Sequence, residues 1–262
     1  MLNILLCLLC LILPGATPTP VSAPDQPAVA PTQPVQEQQK RPAEILIASL
    51  TKYYIGVFWT GPKWTASSEQ DIRDRMKKNM AHIKELVKSG KLVGIAAVQD
   101  SSDCKMVVFF KTDSEQEART IADNSYAVKE GLLRGDIHQV WGTRGLGEGL
   151  KKEMKEDPKK ILKKETYYLT LLSKGKAWKE KPDEKMLPLV DVHASNVLKL
   201  RESGVLKFYG AVDGSGAIRN ISIVKAQSVK DVQMKLAAGE LITKEWFSPA
   251  VYTCTIPEGT LP

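Results

Sequence analysis

Histidine is the side chain that moves protons near neutral pH. Two of the three histidines in this chain lie in stretches that echo each other. His193 opens HASNVLKLRESG, residues 193–204, and Asn196 follows it by three. Residues 79–90 read NMAHIKELVKSG, so Asn79 holds the first polar place and His82 the second. The same two residue types thus occur in exchanged order, one helical turn apart. A histidine on a helix face turned towards a sheet can act as a general base or acid. The same place equally suits a polar residue that only bridges helix and sheet. Metal chemistry finds no support. The body has no Cys-x-x-Cys pair and its histidines are scattered, so neither zinc nor haem, nor any other cofactor, is expected.

The elements that must position these residues come in two copies. Shifted by 114 positions, Tyr53 and Tyr54 fall on Tyr167 and Tyr168, and Gly61 and Trp64 on Gly175 and Trp178. Leu86, Ser89, Gly90 and Leu92 fall on Leu200, Ser203, Gly204 and Leu206, and Ala97 and Val98 on Ala211 and Val212. No gap is needed over that range, which marks a tandem duplication. In the first copy Lys52–Thr60 reads as a strand. Ser67 and Gln70 form a capping box, and Met76, Asn79, Ile83 and Leu86 recur at helical spacing up to Gly90. Strands follow at Leu92–Val98 and Lys105–Phe110. A second capping box at Ser114 and Glu117 opens a helix, and Ile137–Trp141 is a last strand. The second copy repeats this: Thr166–Leu172, a helix over Leu187–Ser203, Val205–Val212, Ala217–Lys225, a helix from Ser228, and Val251–Ile256. The class is α+β, with the order βαββαβ of a ferredoxin-like unit, twice.

A four-stranded sheet with its helices on one side leaves the other side bare. Sheet-to-sheet closure by the second copy covers it, which predicts a barrel-like body with a pseudo-twofold axis inside one chain. Trp64 and Trp178 leave the first strand of each copy. Aromatics there can wall a pocket or pack the barrel rim.

The ends of the chain read differently. Met1–Leu13 is apolar but too short to span a bilayer, and Val21-Ser22-Ala23 offers a cleavage site. Residues 1–23 are read as a signal peptide, with cleavage after Ala16 or an uncleaved anchor as alternatives. The expected location is secreted or periplasmic, without stable membrane insertion. Residues 24–42, rich in Pro, Ala and Gln, read as a disordered tether, and Ala43–Leu50 as a short lead-in helix. The two repeats are placed at 43–146 and 166–262. Residues 147–165 hold the lysine run Lys151–Lys164 and read as a solvated linker. That run, within a net charge of +7, lacks the arginines and aromatics of nucleic-acid readers, so no nucleic acid is expected. The tail Pro257–Pro262 reads as frayed.

The histidine eleven residues before a glycine, with Leu-x-x-x-Gly-x-Leu at Leu86–Leu92 and Leu200–Leu206, resembles the YCII-related family of the dimeric α+β barrel superfamily. The resemblance implies a cleft between sheet and helices and a histidine paired to an Asp. That Asp opens an Asp-Pro pair six residues before a glycine. Ser125-Tyr126 before Gly131 takes that place in the first copy. A looser alignment puts Glu240 there in the second, with Trp246 for the glycine. His193 and Glu240 are then the candidate catalytic pair, and Asn196, Asn79, His82, Trp64 and Trp178 the candidate binding residues. The function expected is binding of a small molecule, with catalysis left open, in the second copy rather than the first. The alternative is a non-catalytic scaffold. The chain is expected as a monomeric pseudo-dimer or a higher homo-oligomer. The superfamily's strand order also implies an approach of Cys254 to Cys104, for which both a disulfide and free thiols are open.

Overall fold

A computed structural model of the chain describes residues 40–100, 103–157, 162–180 and 186–262. The signal peptide, nearly all of the tether and part of the lysine run lie outside the described residues. The first half comprises α1 (Pro42–Ala48), β1 (Leu50–Thr60), α2 (Glu69–Lys88), β2 (Leu92–Val98), β3 (Cys104–Phe110), α3 (Glu115–Asp123), α4 (Tyr126–Lys129) and β4 (Leu133–Thr143). After α5 (Glu148–Glu156), the second half comprises β5 (Lys164–Lys174), α6 (Leu187–Glu202), β6 (Leu206–Val212), β7 (Ile218–Val224), α7 (Val229–Ala237), α8 (Glu240–Thr243) and β8 (Phe247–Pro257).

Local signals account for most helix ends. Ser114 and Ser228 accept hydrogen bonds from the amides of Glu117 and Asp231, three residues on. Gly90 and Gly204 follow α2 and α6 with φ of +73° and +69°. The α2 cap is Ser68, which accepts from Asp71 N, and not Ser67, whose hydroxyl turns back to Lys63 O. The tail is not frayed. Gly147 and Leu150, at the start of α5, donate to Thr260 O and Gly259 O, and Thr260 is fully buried. Half of the expected 147–165 linker is therefore helix α5, held by Leu150 against the end of the barrel.

The eight strands close into one antiparallel barrel in the order β1-β3-β2-β8-β5-β7-β6-β4. The register keeps the 114 spacing throughout. Tyr54 pairs with Phe110 as Tyr168 does with Val224, and Leu50 with Thr143 as Lys164 does with Pro257. Both bulges recur, Phe58/Trp59 as Leu172/Ser173 and Leu92/Gly94 as Leu206/Phe208. Two seams join the halves. Ala97 and Val98 of β2 pair with Thr255 and Cys254 of β8, and Trp141 and Val140 of β4 pair with Ala211 and Val212 of β6. Each seam is the 114-residue image of the other.

Alternation along the strands sends one set of side chains inward and the other to the helices. Inside lie Ile55, Val57, Val107, Phe109, Leu169, Leu171, Phe208, Ile221 and Ile223. Phe109 of one half meets Phe208 of the other edge to face at 5.5 Å. The outer faces form two further cores, under α2 and α3 in the first half and under α6 and α7 in the second. Helix α1 crosses between halves. It precedes β1, yet Ala43 and Leu46 are buried in the second-half core, and Arg41 pairs with Asp191 of α6 at 2.7 Å.

Cys104 and Cys254 form no disulfide and are buried in the barrel interior. Strand β8 does run beside β2, but Cys104 is on β3, so β2 separates the two. Next-but-one strands are roughly 9–10 Å apart, beyond the ~7 Å Cα limit of a disulfide. Burial pushes each thiol up to about 12. In thiol titration under non-reducing conditions, both should stay silent in the native protein and both should react once it is denatured. A protein that shows neither thiol after denaturation would carry the bridge this register forbids.

Candidate functional site

The first-half cleft lies between α2, α3 and the outer face of the sheet. It holds a small cavity of about 20 Å³, room for a water molecule or two. Its walls are Phe58, Phe110, Leu92, Met106, Val108 and neighbours, and no charged side chain lines it. Three polar residues do: Asn79, His82 and Ser125. Asn79 is 2% exposed, and its Oδ1 accepts from Ala127 N at 3.2 Å, satisfying an amide in the first turn of α4. His82 Nε2 and Ser125 Oγ are buried with no partner. Such an atom left bare costs about 1–3 kcal/mol, and a cavity of this size has room for a water to bond to both.

The second-half cleft is built the other way round. Where the first-half sheet presents Gly56, Ile95, Met106 and Val108, the second presents Thr170, Tyr209, Asn220 and Ser222. These polar groups bond to one another or to backbone. Ser222 Oγ donates to Asn220 Oδ1 at 2.6 Å, Asn220 Nδ2 to Gly210 O at 2.9 Å, and Thr170 Oγ1 to Ser222 O at 3.5 Å. His193 Nε2 faces the Tyr209 hydroxyl at 3.5 Å. The residue keeps a partly exposed surface, but dense packing around the imidazole pushes its pKa down to about 4. No carboxylate contributes to that shift.

The expected His193–Glu240 pair is therefore not formed. Glu240 is exposed and bonded to Lys244 Nζ at 2.9 Å on its own short helix. The alignment that chose it was one residue out. Gly131 has φ +72°, and the residue 114 positions on is Glu245, with φ +56°. That is the one positive φ outside glycine among the described residues. The unbroken register gives Gly239 the place of Ser125, as the cap residue of α8, and Gly239 has no side chain to offer. Asn196 is exposed on the outer side of α6, away from the cleft it was expected to flank.

Neither tryptophan lines the cavity. Lys105 Nζ sits 4.9 Å above the Trp64 ring, and Arg219 takes the equivalent position 5.1 Å from Trp178. Trp178 also packs on Trp246 and Phe247, at 6.3 and 5.6 Å. Both are rim residues beside their loops. Gly61 and Gly175 start those loops, and a Cβ on either would lie 2.4 and 2.1 Å from the carbonyls of Gly131 and Glu245.

The sequence reading put Ser125 at the Asp-Pro place without counting it as a site residue, and it missed His138 altogether. Ser125 had its signal in the same gapless register. His138 on β4 pairs with Ile55, which turns it to the barrel's inner face, and burial lowers its pKa. Its Nε2 lacks a partner. Among the described residues no group of three or more His, Cys, Asp or Glu could hold a metal, and no helix is long and apolar enough to cross a membrane.

The two cleft residues lead to two expected outcomes. An unfolded histidine titrates near ~6.5, and folding lowers His193 to about 4. Its contribution is complete above the unfolded value and is lost as pH falls from about 6.5 towards 4, by ~2 kcal/mol once its partial exposure is allowed for. The melting temperature of the native protein should therefore drop more between pH 7 and 4.5 than that of His193→Asn. Parallel curves would show that His193 titrates normally. Separately, Glu245→Gly should raise stability by about 0.5–1 kcal/mol in urea unfolding, because a side chain is strained at that φ. A loss would mean that Glu245 makes contacts worth more than the strain.

Comparison with solved structures gives the fold. An arginine-to-lysine mutant of chlorite dismutase from Candidatus Nitrospira defluvii superposes with a TM-score of 0.50 at 11% identity, over 81% of this chain and 94% of that one. A tryptophan-to-phenylalanine mutant of the same protein, in complex with cyanide, does so with a TM-score of 0.50 at 11% identity, over 83% and 95%. No protein-family model and no curated protein matches the sequence. The chain has an α+β fold around a closed eight-stranded barrel, similar to that of chlorite dismutase.

Proposed function

We propose that the chain is an exported small-molecule-binding barrel whose ligand sits in the first-half cleft, and that it works without a His–carboxylate pair. The observation that carries this reading is the pair of partnerless atoms, His82 Nε2 and Ser125 Oγ, on one apolar cavity. The ligand class follows from the walls. An anion or cation there would be buried without a counter-charge, which is costly. A neutral molecule with an apolar body and one hydroxyl can bond to His82 and Ser125 together. A ring-sized ligand requires the rim of His82, Leu86 and Ile121 to part, so binding is by induced fit.

The halves are read as ferredoxin-like repeats of one YCII-related unit that diverged after duplication. The constant 114-residue register of strands, bulges and caps supports this. In that reading Asn79 and Ser125 replace the family's His and Asp, and the second half keeps the His alone. Export rests on the leader sequence, and the mature chain is taken to start after Ala16 or Ala23. A haem does not fit these residues. Its iron needs a donor facing a slot, whereas His193 faces Tyr209 under a closely packed α6, His138 faces the filled barrel interior, and the cavity beside His82 is about 20 Å³. The scaffold reading keeps one observation in its favour, that the candidate pair His193 and Glu240 stay apart.

Thermal shift tests the proposal with phenol, benzoate and toluene as probes. Phenol should raise the melting temperature, approaching ~2.7 kcal/mol of stabilisation at a hundred times its Kd, and benzoate should not. The double variant His82→Leu, Ser125→Ala should lose the phenol effect, and His193→Asn should keep it. Equal stabilisation by all three probes, or by none, refutes a hydroxyl-reading site.

A further inference from the structure

Helix α1 acts as a strap. It buries Ala43 and Leu46 on α6, leaves Glu44 and Ile45 exposed, and pairs Arg41 with Asp191. The twofold relation between the halves gives this seat an image on α2. Val190, Asp191, Ala194 and Leu198 map onto Met76, Lys77, Met80 and Lys84, 114 residues earlier. These four, with Arg73 and Ala81, line a groove on the surface of α2. Met76 and Met80 stand at i, i+4 as its floor, and methionine adapts readily to an incoming apolar face. The charge is inverted, since Lys77 stands where the first seat has Asp191.

The sequence supplies a matching strap. As α1 leads straight into β1, the stretch 156–162 leads into β5. Shifted by 115, the buried or half-buried Ala43, Leu46 and Ile47 match Pro158, Ile161 and Leu162. The exposed Glu44 and Ile45 match Lys159 and Lys160, and Arg41 matches Glu156. So apolar residues fall where α1 is buried, lysines where it is exposed, and an acid where α1 has its arginine. The match is one of sequence, since Pro158–Ile161 lie outside the described residues. We propose that the α2 groove is a helix-docking site for this chain's own Pro158–Leu162 stretch, with Glu156 opposite Lys77 as Arg41 is opposite Asp191. Helix-in-groove docking of this kind reads anchors at helical spacing, and the opposed charges fix its direction. The lysine run then has a dry side and is not only a spacer.

Disulfide trapping in the protein without the leader cysteines Cys7 and Cys10 tests this, with Cys104 and Cys254 protected by burial. Met80→Cys with Ile161→Cys should cross-link within the monomer in most molecules under mild oxidation. Val192→Cys with Ile161→Cys should not. Lys77→Glu should cut the yield several-fold, and adding Glu156→Lys should restore it. Yields no higher than the Val192 control overturn the proposal. So does cross-linking only between chains, which would make a second copy the occupant. A yield that ignores both charge reversals overturns the pairing of Glu156 with Lys77.

Discussion

Each four-stranded sheet of this chain has a face that its own helices cannot reach, and burying those two faces against each other is the constraint on which the rest depends. Phe109, Val107 and Ile55 from one half and Phe208, Ile221 and Leu169 from the other fill the barrel. Burial of apolar surface on this scale is the dominant favourable term in folding. The two seams are short, and they are images of each other. Once the inner faces are committed, each half must present its helices outward. The clefts between helix and sheet then lie on opposite sides of the molecule. A site in one cleft is consequently independent of the other.

The two clefts are built in opposite senses. In the first half the sheet is apolar and the polar atoms come from the helices, as Asn79, His82 and Ser125. In the second the sheet itself carries Thr170, Asn220 and Ser222, which bond to one another or to backbone, and Tyr209, which faces His193. A polar network with its partners in place rigidifies a core. Partnerless atoms beside a cavity invite a ligand. The exchanged order of His and Asn thus puts Asn79 on the amide of Ala127 and His82 on the cavity wall in the first half, and His193 against Tyr209 in the second.

The fold was largely legible in the sequence, because strand alternation, capping serines and helix-ending glycines are local signals that the barrel did not override. The order of elements could be read along the chain from these signals, and the closure from the bare face that each sheet leaves. The site was less legible. The pairing of His193 with Glu240 relied on matching Trp246 to a glycine, whereas a backbone with positive φ is what that place requires, and Glu245 adopts it. Asn196 looked like a cleft residue by helical spacing, but spacing alone does not say where the sheet-facing stripe ends. The docking of α1 on the opposite half, and of the tail on α5, could not be foreseen, since both are contacts between segments without periodicity.

The central claim is that the atoms of the first-half cleft, and not those of the second, meet the ligand. Nitrogen NMR of the imidazoles tests it most directly, with phenol added to protein labelled at histidine. The account predicts that the His82 Nε2 resonance moves and saturates, while that of His193, held against Tyr209, stays where it is. Movement of His193 with His82 unchanged would contradict it.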